Sequence, residues 1–238
     1  MHKLIIIPTY NERENIEAMI AKVFSLEGDF SLLVVDDGSP DGTAAIVRDL
    51  MPSHPDRLFL VEREGKLGLG TAYLAGFRWA LERGYDAVFE MDCDFSHDPD
   101  DLLRLAAELE AGADVAVGSR YVSGVNVVNW PMRRLLLSYC ASRYVKVVTG
   151  MPVKDATAGF VGYRAEVLRT LDLDNIQMRG YGFQIEMKYT TWRLGFKIKE
   201  VSIIFRDRTL GTSKMSSSIF GEAFWGVLGL RFRRFRRA

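Results

Sequence analysis

The chain has 238 residues, of which 48% are hydrophobic and 26% charged, and its formal net charge is +0. This is one domain's worth of ordinary soluble protein, long enough to bury a sizeable core. The absence of a fixed-period repeat argues against a solenoid, and no apolar run reaches the roughly 20 residues needed to span a bilayer.

Short apolar bursts at residues 4–7, 32–35, 58–61, 87–91 and 115–117 are β-rich and nearly free of charge. They read as strands covered on both faces. Segments of helical period lie between them, at about 14–24, 43–50, 71–83 and 100–110. Asp98-Pro99 reads as the start of the last of these helices, with Asp as N-cap and Pro in the first turn. The alternation predicts an α/β fold with a mostly parallel, doubly wound sheet and flanking helices. Helices are expected at 132–149 and 183–194, a strand at 198–205, and an amphipathic helix from Ser217 into the tail.

The tail carries Arg231, Arg233, Arg234, Arg236 and Arg237, with Phe232 and Phe235 between them. Such a cluster suits an anionic surface, lipid or nucleic acid. Trp130, Arg133 and Arg134 precede an apolar helix and form a second surface suited to lipid headgroups. Cys93 and Cys140 belong to no C-x-x-C pair, so neither indicates zinc, and a reducing compartment is the default. Met1-His2-Lys3 runs directly into a strand, so no signal peptide is expected.

In open α/β sheets, ligands bind beyond the carboxyl ends of the strands. The residues there are Pro8-Thr9-Tyr10-Asn11-Glu12, Asp36-Asp37-Gly38-Ser39-Pro40-Asp41-Gly42, Asp92-Cys93-Asp94 and Ser119-Arg120-Tyr121. Asp92 and Asp94, two apart in an extended segment, point to one side. Alone, such a pair is as easily a solvated turn. At a ligand edge it suits a hard divalent cation, which takes one or two carboxylates and completes its shell with phosphates and water. Asp37 is placed to accept hydrogen bonds from a ribose or a base edge, whereas Asp41 reads as a helix cap. Tyr10 offers an aromatic face to a base. Arg120, Arg208 and Lys214 suit phosphate oxygens, and the small residues around Gly211 suggest a closing loop. Gly65-Lys66-Leu67-Gly68-Leu69-Gly70 is neither a dinucleotide fingerprint nor a P-loop, and reads as a loop opening a helix with Lys66 exposed.

These motifs, with Leu67-Gly68-Leu69-Gly70-Thr71-Ala72-Tyr73, Ser96-His97, Gly180-Tyr181-Gly182-Phe183-Gln184-Ile185-Glu186 and Gly211-Thr212-Ser213-Lys214, resemble the dolichyl- or polyprenol-phosphate mannosyltransferases, inverting family 2 glycosyltransferases of GT-A fold. The resemblance covers nearly the whole chain and is nearest to the bacterial single-domain form. It implies GDP-mannose as donor, polyprenyl or dolichyl phosphate as acceptor, Mg2+ or Mn2+ as cofactor, and peripheral work at the cytoplasmic face of the membrane without nucleic acid. By carry-over, Pro8, Tyr10, Glu12, Val35 and Asp37 hold guanosine. Asp92, Cys93 and Asp94 line the donor site, with Asp94 and Ser96 on the metal. Arg120, Arg208 and Lys214 grip phosphates, and Asp92, Asp94 and Arg120 carry the chemistry. Lys66, Trp130, Arg133 and Arg134 face acceptor and membrane. Residues 1–215 form the catalytic domain and 216–238 a basic membrane-contact segment. Cys93 departs from the family's usual Ala, and its thiol is expected to be exposed in an empty site. No Q-x-x-R-W is present, which argues for a single transfer per acceptor. Two alternatives stay open: another donor such as UDP-glucose, and a non-enzymatic nucleotide-binding module.

Overall fold

The five bursts become β1 (Lys3–Thr9), β2 (Phe30–Asp36), β3 (Leu58–Glu62), β4 (Ala87–Glu90) and β5 (Val115–Ser119) in a computed structural model, which describes residues 1–178, 180–208, 218–233 and 235. Between them run α1 (Ile16–Phe24), α2 (Thr43–Leu50), α3 (Leu69–Glu82) and α4 (Asp101–Glu110). β1 pairs in parallel with β2 on one side and β4 on the other, and β2 pairs in parallel with β3. The carboxyl ends of these strands therefore open on a common edge.

Two strands escaped the sequence reading, the short β6 (Val127–Val128) and β7 (Val161–Arg164). β7 wedges between β4 and β5, antiparallel to both, and leads into α6 (Ala165–Thr170). A four-residue segment containing a glycine carries almost no strand signal. Gly162 is nonetheless required, because a Cβ there would lie 2.6 Å from the ring of Phe89. The expected strand at 198–205 divides into β8 (Ile198–Ser202), which closes the sheet beside β5, and β9 (Phe205–Arg206), which pairs with β6 (Val127–Val128) in a small ribbon. The last helix of the first half starts at Asp101, with Asp100 as N-cap, rather than at Asp98-Pro99. Asp98 Oδ1 accepts the N–H of Asp100 at 3.1 Å, so the Asp-Pro pair forms a turn ahead of the helix.

Alternate residues of the strands supply two cores. Ile5, Ile7, Leu32, Val34 and Phe89 pack with α1 and α4 on one face. Leu4, Ile6, Leu33, Val35 and Val88 pack with α3 on the other, joined by α7 (Tyr181–Arg193) through Phe183 and Met187. A third cluster joins α5 (Met132–Thr149), α7 and α8 (Ser218–Phe232) through Val145, Ile185, Tyr189, Val227 and Leu230. α8 differs from the two-faced helix expected. Its sequence is apolar nearly all round, with Val227 and Leu230 turned inward while Trp225 and Phe232 stay 72% and 83% exposed. Among the described residues no helix is long and apolar enough to cross a membrane.

Candidate active site

At the carboxyl edge of the sheet lies a cleft of about 560 Å³, lined by residues from every parallel strand end. Asp36, the last residue of β2, is buried and ties the edge together. Its carboxylate accepts from Thr9 Oγ1 at 2.8 Å, from Ser39 N at 2.8 Å and from Ser39 Oγ at 2.6 Å. Asn11 and Glu12 follow β1, and their N–H groups donate to Ser39 Oγ and Thr43 Oγ1 across the same turn. Asp41 accepts from Thr43 and from the backbone N–H of Arg13, so it fixes two loops as well as the entry to α2.

Asp37 reaches the cleft wall already engaged. It forms an ion pair with Arg63, whose Nε donates to Oδ1 at 2.6 Å, and it accepts the N–H of Leu67 at 3.1 Å. Arg63 also donates to Thr71 Oγ1 at 2.9 Å, so the pair sets the path of residues 64–68 into α3. Lys66 on this loop is exposed and sits 5.0 Å from the ring centroid of Tyr10. Arg63 was missed by sequence reasoning, since a lone arginine after a strand carries no pattern.

After β4 the chain turns through Asp92-Cys93-Asp94-Phe95-Ser96. Phe95 adopts φ +57°, a conformation that costs a bulky residue free energy and marks a backbone held in place by its surroundings. Asn11 and Asn129, also at positive φ, flank the same cleft. Asp94 is buried, accepts Ser96 N at 3.1 Å and pairs with Arg208 at 2.8 Å. The hydroxyl of Ser96 is buried and has no hydrogen-bond partner among the described residues. Burial pushes Asp92 up from the usual carboxylate range, the Asp94 and Glu12 carboxylates push the same way, and Arg208 and Arg120 oppose them. About 40% of the Asp92 side chain is open to the cleft, which screens part of that effect. His97 stacks on Phe160 at 4.9 Å; burial holds it down at about 4, so it is neutral near pH 7. Cys93 borders the cleft with Asp92 and Asp94, as expected, but its thiol is not exposed: the residue is 3% accessible and packs against the core that holds Met91 and Leu102.

Arg120, after β5, is 6% exposed and clamped on Asp155, with Nε to Oδ2 at 2.7 Å and Nη2 to Oδ1 at 2.6 Å. Nη2 also donates to Thr157 Oγ1 at 2.9 Å. Burial lowers the guanidinium's affinity for its proton, and Asp155 more than offsets this, while Arg120 in turn holds Asp155 below the carboxylate range. Asp155 was also missed; beside Lys154 it reads as one of two opposite charges in a short connection, which carries no signal.

The floor holds a second buried network. The Gln184 amide donates to Glu90 at 2.9 Å and accepts from Lys188 at 3.1 Å. Burial pushes Glu90 up and Lys188 down, both to about 8.

A second cavity of about 620 Å³ runs between α5, α7 and α8, lined mainly by apolar groups including Leu137, Ala141, Val145, Ile185, Phe224 and Val227. Arg120, Trp130, Arg134, Thr157 and Tyr181 line both cavities, so the two share a wall. Arg134 stacks 4.3 Å from the Trp130 ring centroid and pairs with Asp207 at 2.7 Å. Arg133 lines the apolar cavity alone. The structure thus brings Pro8, Tyr10, Glu12, Lys66, Asp37, Asp92, Cys93, Asp94, Ser96, Arg120, Trp130, Arg134 and Arg208 to one cleft. Val35 is not among its lining residues, since its side chain lies in the core against α3. Lys214 and the loop around Gly211 lie outside the described residues, as does the expected domain boundary at 215–216.

The sheet and its flanking helices have the GT-A fold. Glucosyl-3-phosphoglycerate synthase from Mycobacterium tuberculosis, in complex with phosphoglyceric acid, superposes with a TM-score of 0.73 at 20% identity, covering 98% of this chain and 81% of that one. The same enzyme with Mn2+ and UDP-glucose gives 0.70 at 20% identity, over 98% and 80%. Residues 4–172 match the model described as glycosyl transferase family 2, and the chain belongs to that family. It is 48% identical over 231 residues to the polyprenol monophosphomannose synthase of Mycolicibacterium smegmatis, covering 95% of this chain and 87% of that protein. It is 46% identical over 242 residues to the undecaprenyl-phosphate mannosyltransferase of Micrococcus luteus, covering 98% and 99%.

Proposed function

We propose that this protein transfers mannose from GDP-mannose to a polyprenyl or dolichyl monophosphate, with inversion, giving a β-linked polyprenyl phosphate mannose. The observation that carries the reading is the shared wall. A cleft with paired aspartates shares Arg120, Trp130 and Arg134 with an apolar groove. A nucleotide sugar suits the first cavity and a prenyl chain the second, with the prenyl phosphate meeting the arginines between them. The two near-full-length relatives, whose names specify mannose and polyprenyl or undecaprenyl phosphate, support the same pair of substrates.

The residues fit a divalent cation. Asp94 offers a carboxylate that pairs with a guanidinium, and Ser96 offers a buried hydroxyl without a partner among the described residues. Among the described residues no three His, Cys, Asp or Glu side chains converge on one cation site, so diphosphate oxygens and water would complete the shell. Asp94 and Ser96 would hold Mg2+ or Mn2+, with Asp92 beside them; the ion supplies charge neutralisation for the departing diphosphate. Pro8, Tyr10, Glu12 and Asp37 border the nucleoside. Arg208, with Lys214 beyond the described residues, adds positive charge for the phosphates.

The acceptor needs no strong base. A monophosphate ester has a second pKa of about 6 and is already ionised near neutrality. The task of the chain is instead to bring two anions together, and Arg120 and Arg134 stand where the second would arrive. Arg120 keeps its charge despite burial because Asp155 balances it.

Exposed Trp225, Phe232, Leu136 and Val147, with Arg133, Arg143 and Lys146 nearby in sequence, support peripheral contact with a membrane, at its cytoplasmic face. Donor competition tests the reading. GDP-mannose should outcompete UDP-glucose and UDP-GlcNAc for transfer to lipid phosphate; preference for a UDP-sugar would keep the class and reject the donor.

A further inference from the structure

Adjacent residues of one short segment pair with the two sides of the site. Asp207 accepts Arg134 Nη1 at 2.7 Å, on the wall shared with the apolar groove. Arg208 pairs with Asp94 at 2.8 Å, on the polar side. The two pairs are mechanically joined, because the Asp207 Oδ1 that holds Arg134 also accepts the backbone N–H of Arg208 at 3.2 Å. The segment is pinned to the site from both directions, with Arg206 N donating to Ser96 O at 3.1 Å and Asp207 N to Val128 O at 3.1 Å.

This arrangement neutralises within the protein the charges that substrates would otherwise meet. A carboxylate beside Arg134 competes with an incoming phosphate for the same guanidinium. A dication arriving at Asp94 repels Arg208, and the diphosphate it accompanies attracts that guanidinium. Drawing Arg208 from Asp94 to the diphosphate removes the side-chain contact that anchors the Arg208 end of the segment, and the incoming diphosphate repels the neighbouring Asp207 carboxylate, so both effects weaken the hold of Asp207 on Arg134. We infer that Asp207 is a positioning residue that couples the two anion sites, so that metal and nucleotide diphosphate at Asp94 loosen Asp207 from Arg134 and raise affinity for the acceptor phosphate. The inference rests on the acceptor reading above.

Equilibrium binding on the full chain tests it without turnover. The probes are a short, water-dispersible prenyl monophosphate and GDP with Mg2+. The wild type should bind the prenyl phosphate about tenfold more tightly when GDP and Mg2+ are present, and GDP with Mg2+ should gain the same factor from the lipid phosphate. Asp207→Asn should bind the prenyl phosphate more tightly than wild type in the absence of nucleotide, with the nucleotide-induced gain falling below about twofold. A merely structural aspartate would give the opposite sign. Arg208→Gln, a second variant, should lose the coupling while keeping the weak nucleotide-free affinity. Equal wild-type affinity with and without GDP and Mg2+, or weaker prenyl phosphate binding by folded Asp207→Asn, would overturn the coupling while leaving the acceptor reading intact. No prenyl phosphate binding by any of the three proteins would overturn both.

Discussion

Arg120 and Asp155 meet edge to edge in the wall between the two cavities, with two nitrogens on two oxygens at 2.7 and 2.6 Å, and Asp155 is fully buried. A guanidinium of the wall shared by the two cavities is therefore held by a carboxylate that solvent does not reach. Removing either partner leaves the other as an uncompensated buried charge.

Asp155→Asn should destabilise the fold by roughly 3–5 kcal/mol, read as a lowered urea midpoint at unchanged slope. The pair also sets an acid limit. Asp155 is held below its unfolded value of about 3.9, so its contribution is complete above that pH and is lost as pH falls through the lower folded value. In Asp155→Asn the wild-type loss of stability below about pH 4 should shrink. An unchanged urea midpoint would mean that the pair contributes nothing net.

Arg63→Ala should act on donor binding. The side chain fixes Asp37 and residues 64–68 but lies outside the groove-side wall. Its loss should raise the KM for donor roughly tenfold while kcat changes less than about threefold. Equal losses in both constants would show that the loop shapes the transition state instead.

Asp94→Ala should cut turnover roughly a thousandfold, the scale for loss of a group that stabilises developing charge. A chelator should do the same to the wild type and little more to the variant. Near-normal activity in a folded Asp94→Ala protein would remove the aspartate from the chemistry.

Trp225→Ala combined with Phe232→Ala tests the membrane face. Both side chains are exposed, so stability should change by less than about 0.5 kcal/mol. Binding to anionic vesicles should fall roughly tenfold or more, since each aromatic inserted into the lipid boundary contributes on the order of 1–2 kcal/mol. Unaltered sedimentation with vesicles would place lipid contact elsewhere.

Much of this molecule is legible in its sequence. Strands buried on both faces read as uninterrupted apolar runs, and the residues after them announce a ligand edge; Asp92, Asp94 and Arg120 were found that way. What failed was partner-dependent. β7 is specified by its neighbours, with Gly162 chosen by the Phe89 ring, and four residues hold too little pattern to reveal it. Arg63 and Asp155 acquire meaning only through carboxylate or guanidinium partners 26 and 35 residues away in sequence. Cys93 does border the cleft, but the thiol expected to be open is covered by core packing that the sequence does not show. Val35 shows the same logic in a strand, where two-sided burial leaves no side chain for the cleft.

The most direct measurement is transfer of labelled mannose from GDP-mannose to a short polyprenyl phosphate, with and without EDTA. The account predicts label in an organic-soluble, β-linked mannosyl phosphate, formed with stoichiometric GDP and abolished by EDTA until Mg2+ or Mn2+ is restored. Label released only as free sugar, or lipid labelling that persists undiminished under EDTA, would contradict it.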